Sequence, residues 1–310
     1  MSGPAIDVGG THVTAALVDT ARWQTVAGTR HRAPLRGDGS AAQIVGSLAA
    51  AIEPLGDIGG SVLGVSMPGP FDYDTGIGRF RGVGKFDALN GVDVGAALRT
   101  ALPVRPTRIV FVNDASAFAI GEWAAGAAQG AGRVVGITLG TGVGSAFLDG
   151  GRPVRDGPAV PPDGHAYRLR TGGRALEDVI SRRAIVAAYQ SATGGRARLD
   201  VDAVARRAAD GDPAARRVLD DAVSALGEAL RPWLARFHAH VLVVGGGMTA
   251  SWELIEPALH ASLSGAKGAA GPAWAGRLAR SADTEGSILA GAAWHAAQGQ
   301  PDTPVNRSAP

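Results

Sequence analysis

Two glycine turns and two carboxylates hold the chemistry open to this chain. Asp7 ends an apolar run and leads into Gly9, Gly10 and Thr11, and a near-copy of that turn recurs at Gly140, Thr141 and Gly142. Each copy reads as a β-branched strand, a Gly/Thr turn and a second strand ending in an aspartate, Asp19 or Asp149. Glycine lets a backbone bend tightly and bring its N–H groups up to a bulky anion. One such turn is simply a hairpin. Two of them suggest a polyphosphate clamped from two sides, as in nucleotide-dependent phosphoryl transfer. Asp7 beside the first turn could hold Mg²⁺, usually through water, or could only stabilise the turn. The Thr11 hydroxyl could reach a phosphate or close the hairpin.

Asn113 and Asp114 follow an apolar strand and precede a helix, which puts them at the carboxyl edge of a sheet, where ligands bind. A carboxylate there can take the proton of an attacking hydroxyl while the neighbouring amide orients the acceptor. The same pair can serve as a helix N-cap, and the two roles are compatible. Gly245, Gly246 and Gly247, after a fully apolar strand, permit a flat ring or ribose to approach the backbone, although glycine after a strand is common.

The elements that must position these residues alternate strand and helix. Strands are expected at 5–8, 12–18 and 25–31, a helix at 40–55, and a buried strand at 62–66 running into the turn Met67, Pro68, Gly69, Pro70. Residues 72–90, rich in glycine, read as a loop over a site. A helix at 92–100, a strand at 108–112 and a helix at 115–125 follow. The second half repeats the order. It has strands at 134–139 and 144–148, an irregular insertion at 152–171, and helices at 176–189, 201–209 and 213–238. A strand at 241–244 and helices at 252–263 and 287–297 complete it. This order predicts an α/β fold with mixed sheets. The expected division is a small domain over 1–112, a large one over 113–286, and a final segment 287–310 returning to the first and ending in a frayed tail.

Composition narrows the function classes. A chain of 310 residues favours two domains of ordinary size, and a hydrophobic content of 45% with 19% charged residues suits a globular protein. A net charge of +2 gives no electrostatic case for nucleic acid or a membrane surface. There is no cysteine, which removes disulfides, thiolate ligands and cysteine nucleophiles and agrees with a cytoplasmic location. No leader pattern or spanning apolar run is present. Gly140, Gly142 and Gly144 mimic the spacing of the dinucleotide fingerprint, but a strand follows where that motif needs a helix. No Gly-Lys-Ser/Thr follows any glycine loop, so the Walker-A pattern is absent too.

Together, Ile6-Asp-x-Gly-Gly-Thr11, Val112-Asn-Asp-Ala115 with Glu122 and Gly126, Gly136-Ile-x-Leu-Gly-Thr-Gly-Val-Gly144 and Val243-Val-Gly-Gly-Gly247 resemble the ROK family of sugar kinases and sugar-responsive repressors. The motifs occur in the family's order over nearly the whole chain. The resemblance implies the two-domain actin-like ATPase fold (sugar kinase/Hsp70/actin, ribonuclease H-like), with ATP and sugar in an interdomain cleft. It implies Asp114 as general base. Asn113, Gly69, His165 and Glu177 would be sugar ligands. Gly9, Gly10, Thr11, Gly140, Thr141 and Gly142 would lie on the phosphates, Gly245 to Gly247 by the adenosine, and Asp7 near Mg²⁺. It also implies a homo-oligomer, a dimer or tetramer. DNA-binding members carry a helix-turn-helix domain before the first phosphate turn. Here the first strand starts within five residues of Met1, so nucleic acid is not an expected partner.

The pattern breaks at one place. Family kinases have Glu-x-Gly-His, a zinc-binding cysteine cluster, then a glutamate. This chain has Pro162, Asp163, Gly164 and His165, then Arg168, Arg170 and Arg174, then Glu177. No zinc is expected, and Asp163 could replace the missing glutamate from one position later. The arginines either pair with local carboxylates or face an unusual acceptor. The expected activity is ATP-dependent phosphorylation of a hydroxyl, most simply a primary one, on a hexose such as glucose. The alternatives are a cyclitol or amino-sugar acceptor, or a non-catalytic sugar- or nucleotide-binding regulator.

Overall fold

Alternation in the first strand, Ser2–Val8, sends Ile6 and Val8 to one face of a sheet and Ala5 and Asp7 to the other. The Ile6 face joins Val13, Ala15, Leu63 and Val65 in a core closed by Ile44, Val45, Leu48 and Ile52 of helix Ala41–Ile52. Ser40 and Gln43 form a reciprocal capping box that starts this helix where the glycines of the preceding loop end. Each of its fully buried aliphatic side chains contributes about 1.5–3 kcal/mol. The computed structural model describes residues 1–195, 199–265 and 273–299, and it divides into two compact units, 1–130 with 283 onward, and 131–282.

In the first unit, Ser2–Val8 pairs antiparallel with His12–Asp19 and parallel with Val62–Met67, which pairs parallel with Arg108–Asn113. The strand expected at 25–31 is two short ones, Gln24–Thr25 and His31–Pro34, both antiparallel to His12–Asp19. The Asp7 face packs on the C-terminal helix Thr284–Gln298 so closely that a Cβ on Gly64 would strike the carbonyl of Ala292. That helix and helix Asp114–Ala125 meet through reciprocal glycines: Gly121 lies against the Ser287 backbone and Gly291 against that of Ala117. Buried Glu122 locks the pair by accepting from Ser287 Oγ at 2.7 Å. Helix Asp114–Ala125 therefore belongs to the first unit, and the division falls after Gly130 rather than at 112. The tail expected to fray beyond residue 299 lies outside the described residues.

The second unit repeats the strand logic. Arg133–Leu139 pairs antiparallel with Val143–Asp149 and parallel with Val241–Gly245, which pairs parallel with Arg277–Arg280. That last strand went unread in the sequence because its four residues begin and end in arginine at a sheet edge. Helix Pro213–Phe237 supplies Leu219, Val223, Leu226, Leu230 and Leu234 to a core with Ile137, Leu139, Leu242 and Val244. The helix expected at 176–189 is instead Glu177–Ile180 and Arg182–Thr193, separated by the extended Ser181.

Candidate active site

Three adjacent parallel strands end together in the first unit. The register sets Asp7 opposite Ser66, and Met67 opposite Asn113, so Asp7, Ser66 and the Asn113–Asp114 pair share one carboxyl edge. Asp7 Oδ1 accepts from Ser66 Oγ at 2.8 Å, and its neighbour across the hairpin, Thr14, donates to Glu285 at 2.7 Å. Burial raises the Asp7 carboxyl to about 7. The charges of Asp114 and Glu285 push the same way, and the Ser66 bond opposes them. A buried carboxylate with two more nearby suits a divalent cation. Among the described residues no group of three or more His, Cys, Asp or Glu could hold a metal alone. A single buried carboxylate at a strand end fits an ion that keeps its own waters and brings phosphate ligands, as Mg²⁺ ordinarily binds.

Asn113 serves as the helix cap and also bonds to its neighbour Asp114. Its Oδ1 accepts from Ala115 N at 3.1 Å and Ser116 N at 3.2 Å as the helix cap, while its Nδ2 donates to Asp114 Oδ1 at 2.9 Å. The same Nδ2 donates to Tyr73 Oη at 3.0 Å, and that hydroxyl donates to Met67 O at 3.2 Å. Gly69 adjoins this hub, since a Cβ there would stand 3.5 Å from Tyr73 Oη. Burial raises the Asp114 carboxyl above the ordinary range; the Ala115 N–H, the Lys85 charge and the Asn113 amide pull it back. A carboxyl whose proton affinity is raised in this way suits a general base.

The turn glycines serve for reasons other than a left-handed backbone. None of Gly9, Gly10, Gly140 and Gly142 has a positive φ. At Gly9 a Cβ would come 3.0 Å from His12 O, and at Gly142 it would displace the flexible end of Glu177. Around Gly140 a Cβ would meet open space, and at Gly10 only the Lys85 side chain. Gly9 N donates to His12 O at 2.9 Å and Gly140 N to Gly142 O at 3.1 Å, so each hairpin closes on itself. The closure leaves two successive N–H groups, of Gly10 and Thr11 and of Thr141 and Gly142, for an anion. The Thr11 hydroxyl is 3.2 Å from His12 Nδ1, and His12 Nε2 is 2.9 Å from Arg32. Gly246 alone of its triplet is left-handed, at φ 93°, pressed against the Leu139 backbone; Gly247 faces open space.

In the second unit, buried Ser145 staples the insertion to its sheet. Its Oγ donates to Gly164 O at 2.6 Å and accepts from Ala166 N at 2.8 Å, which holds His165 between two fixed neighbours. Burial lowers the His165 pKa, so the ring is neutral at pH 7 and can both donate and accept; its Nδ1 has no hydrogen-bond partner. Glu177 Oε2 accepts from Val143 N at 3.2 Å, linking the insertion to the second turn. Asp163, left-handed at φ 57°, is exposed and paired to Arg168 at 3.2 Å. Arg170 and Arg174 donate to the carbonyls of Gly173 and Asp178. The arginines thus bond within their own segment. Ser66, Tyr73 and Glu285 were missed in the sequence, because a single polar residue in a strand, a loop or a helix start carries no motif.

No helix among the described residues is long and apolar enough to cross a membrane. A glucokinase of Thermotoga maritima is 29% identical over 215 residues, 62% of this chain and 66% of that protein, just under two thirds of its length. The crystal structure of the ROK hexokinase from Thermus thermophilus is 25% identical with a TM-score of 0.72, covering 96% of this chain and 99% of that one. A ROK family glucokinase from Streptomyces griseus, solved with glucose and AMPPNP, is 22% identical with a TM-score of 0.76, over 96% and 100%. The fold is that of the ROK sugar kinases, the actin-like ATPase fold. With residues 4–298 matching its pattern, the chain belongs to the ROK family.

Proposed function

We propose that the protein is an ATP-dependent sugar kinase that phosphorylates a primary hydroxyl of a hexose such as glucose. The observation that carries this reading is the carboxyl edge of the first unit. There Asp114, half-buried and oriented by the Asn113 amide, shares an edge with Asp7 and the open N–H groups of Gly10 and Thr11. Such a set of groups serves phosphoryl transfer, which needs positioning and charge neutralisation more than covalent chemistry. Asp114 takes the acceptor's proton as the acceptor oxygen bonds to the γ-phosphorus. The bond from that phosphorus to the bridging oxygen breaks, and its electron pair leaves with ADP. Asp7 would hold Mg²⁺ through water, and the ion would shield the phosphate charge.

Gly9, Gly10, Thr11, Gly140, Thr141 and Gly142 would hold phosphates, and Gly245 to Gly247 would border the adenosine. His165, Glu177, Asn113 and Gly69 would read sugar hydroxyls. Asp163 would join them only by leaving Arg168. The changed 162–174 segment supports a second acceptor class, a cyclitol or an amino sugar. The names of the Thermotoga and Thermus relatives support hexose. The test is ADP release from Mg·ATP over hexoses, amino sugars and cyclitols. Acceptor-dependent release identifies the kinase and its substrate. Silence across the panel with sugar binding intact would make the protein a sugar-binding regulator.

A further inference from the structure

Of the chain's 30 lysines and arginines only Lys85 and Lys267 are lysines, and Lys267 lies outside the described residues. Lys85 sits in the glycine-rich loop that follows the Gly69 turn, and its place there is built. The next residue, Phe86, is fully buried in the left-handed region at φ 60°. Its ring lies 5.4 Å from that of Phe80, and its N–H donates to Gly37 O at 2.6 Å. Gly37 in turn packs on the first phosphate turn, where a Cβ would come 3.1 Å from Gly10 O and 3.6 Å from Lys85 Cβ. Leu35 N donates to Thr11 O at 2.9 Å, which ties the same layer to the turn. The Lys85 stem therefore runs over Gly10, its Cδ 3.9 Å from where a Cβ of that residue would stand.

Lys85 as a whole is half-buried, and its ammonium has no hydrogen bond or ion pair among the described residues. It lies near enough to Asp114 for its charge to be felt there, yet the two do not pair. A cation whose stem lies on an open anion-binding turn and whose charge is felt by the base, with no partner of its own, is placed to meet the group in transit between the two. Lysine suits this better than arginine, because a compact point charge can follow a phosphoryl group without a fixed fork geometry.

We propose that Lys85 is a catalytic cation that contacts the transferring γ-phosphoryl group, an inference that rests on the kinase reading above. It forms no bond and moves no proton. It neutralises charge on the phosphoryl oxygens as the bond to the bridging oxygen of ADP breaks and the bond to the acceptor oxygen forms, with the acceptor's proton going to Asp114.

The experiment compares wild type, Lys85→Met and Lys85→Arg in kcat, KM and pH profile, with calorimetric binding of Mg·ADP alone and of Mg·ADP with aluminium fluoride and sugar. For Lys85→Met, kcat should fall about 10²–10³-fold, as when one preorganised transition-state donor is removed. Affinity for the fluoride complex should fall with it, while ADP and sugar affinities and the unfolding midpoint hold. Lys85→Arg should recover part of both losses. A Lys85→Met enzyme with wild-type kcat on its pH plateau, and only its acid limb moved upward, would overturn the proposal by reducing Lys85 to a counter-charge for Asp114. A wild-type protein that releases no ADP with any acceptor would remove the kinase reading itself, and this inference with it.

Discussion

Replacing Asp7 by Asn should stabilise the ligand-free protein, and by more as the pH rises. The Asp7 carboxyl is raised from 3.8 to about 7, chiefly by burial. Between those values the folded state holds a proton that the unfolded state has released. The contribution of this group is therefore fully present below pH 3.8 and is lost as pH rises through about 7. A shift of about three units corresponds to about 4 kcal/mol as a ceiling. Asn preserves the shape and can still accept from Ser66 Oγ, but carries no charge to bury. Urea unfolding of both proteins from pH 5 to 9, without nucleotide, should show the stability difference widening toward that ceiling. Mg·ADP should reverse the order, since a cation at this edge favours the ionised form. Binding near pH 6 should then release up to one proton in wild type and none in Asp7→Asn. A stability difference flat across the range would refute the reasoning, because Asp7 would then be ionised throughout.

Other outcomes follow from single contacts. Ser145→Ala leaves Gly164 O and Ala166 N unpaired in a buried place, which costs about 1–3 kcal/mol. It should raise the acceptor KM more than that of Mg·ATP in steady-state assays. Gly291→Ala drives a methyl into the Ala117 carbonyl and should destabilise by about 1–3 kcal/mol in chemical unfolding, with unchanged substrate specificity. Treatment with a zinc-selective chelator should leave both the melting midpoint and the acceptor KM unchanged, since Ser145 and the arginines hold the insertion.

Where chemistry lay in contiguous residues, the sequence was legible. The two hairpins announced themselves by repetition, and Asn113–Asp114 by standing between an apolar strand and a helix. The surroundings of the glycines were not, because the approach of Glu177 Oε2 to Gly142 is a tertiary fact and no local pattern encodes it. The division between units was misplaced for a similar reason. Helix Asp114–Ala125 finds its partner in Thr284–Gln298, a pairing made by the fit of Gly121 and Gly291 into facing backbones and by the Glu122–Ser287 bond, none of it local in the chain. Ser66 and Glu285 reach Asp7 through strand register and a helix from the far end of the chain, so nothing local marks them. Lys85 did have a signal, the rarity of lysine in an arginine-rich chain, but its meaning depends on Phe86 and Gly37 holding it over the turn.

The central claim is that Asp114 is the base of a sugar-dependent phosphoryl transfer. Its most direct test is Asp114→Asn, assayed for ADP release with the best acceptor and, in parallel, for binding of that acceptor by calorimetry. The expected result is a loss of kcat of about 10²–10⁴-fold with sugar affinity retained. A mutant that turns over at the wild-type rate would contradict it.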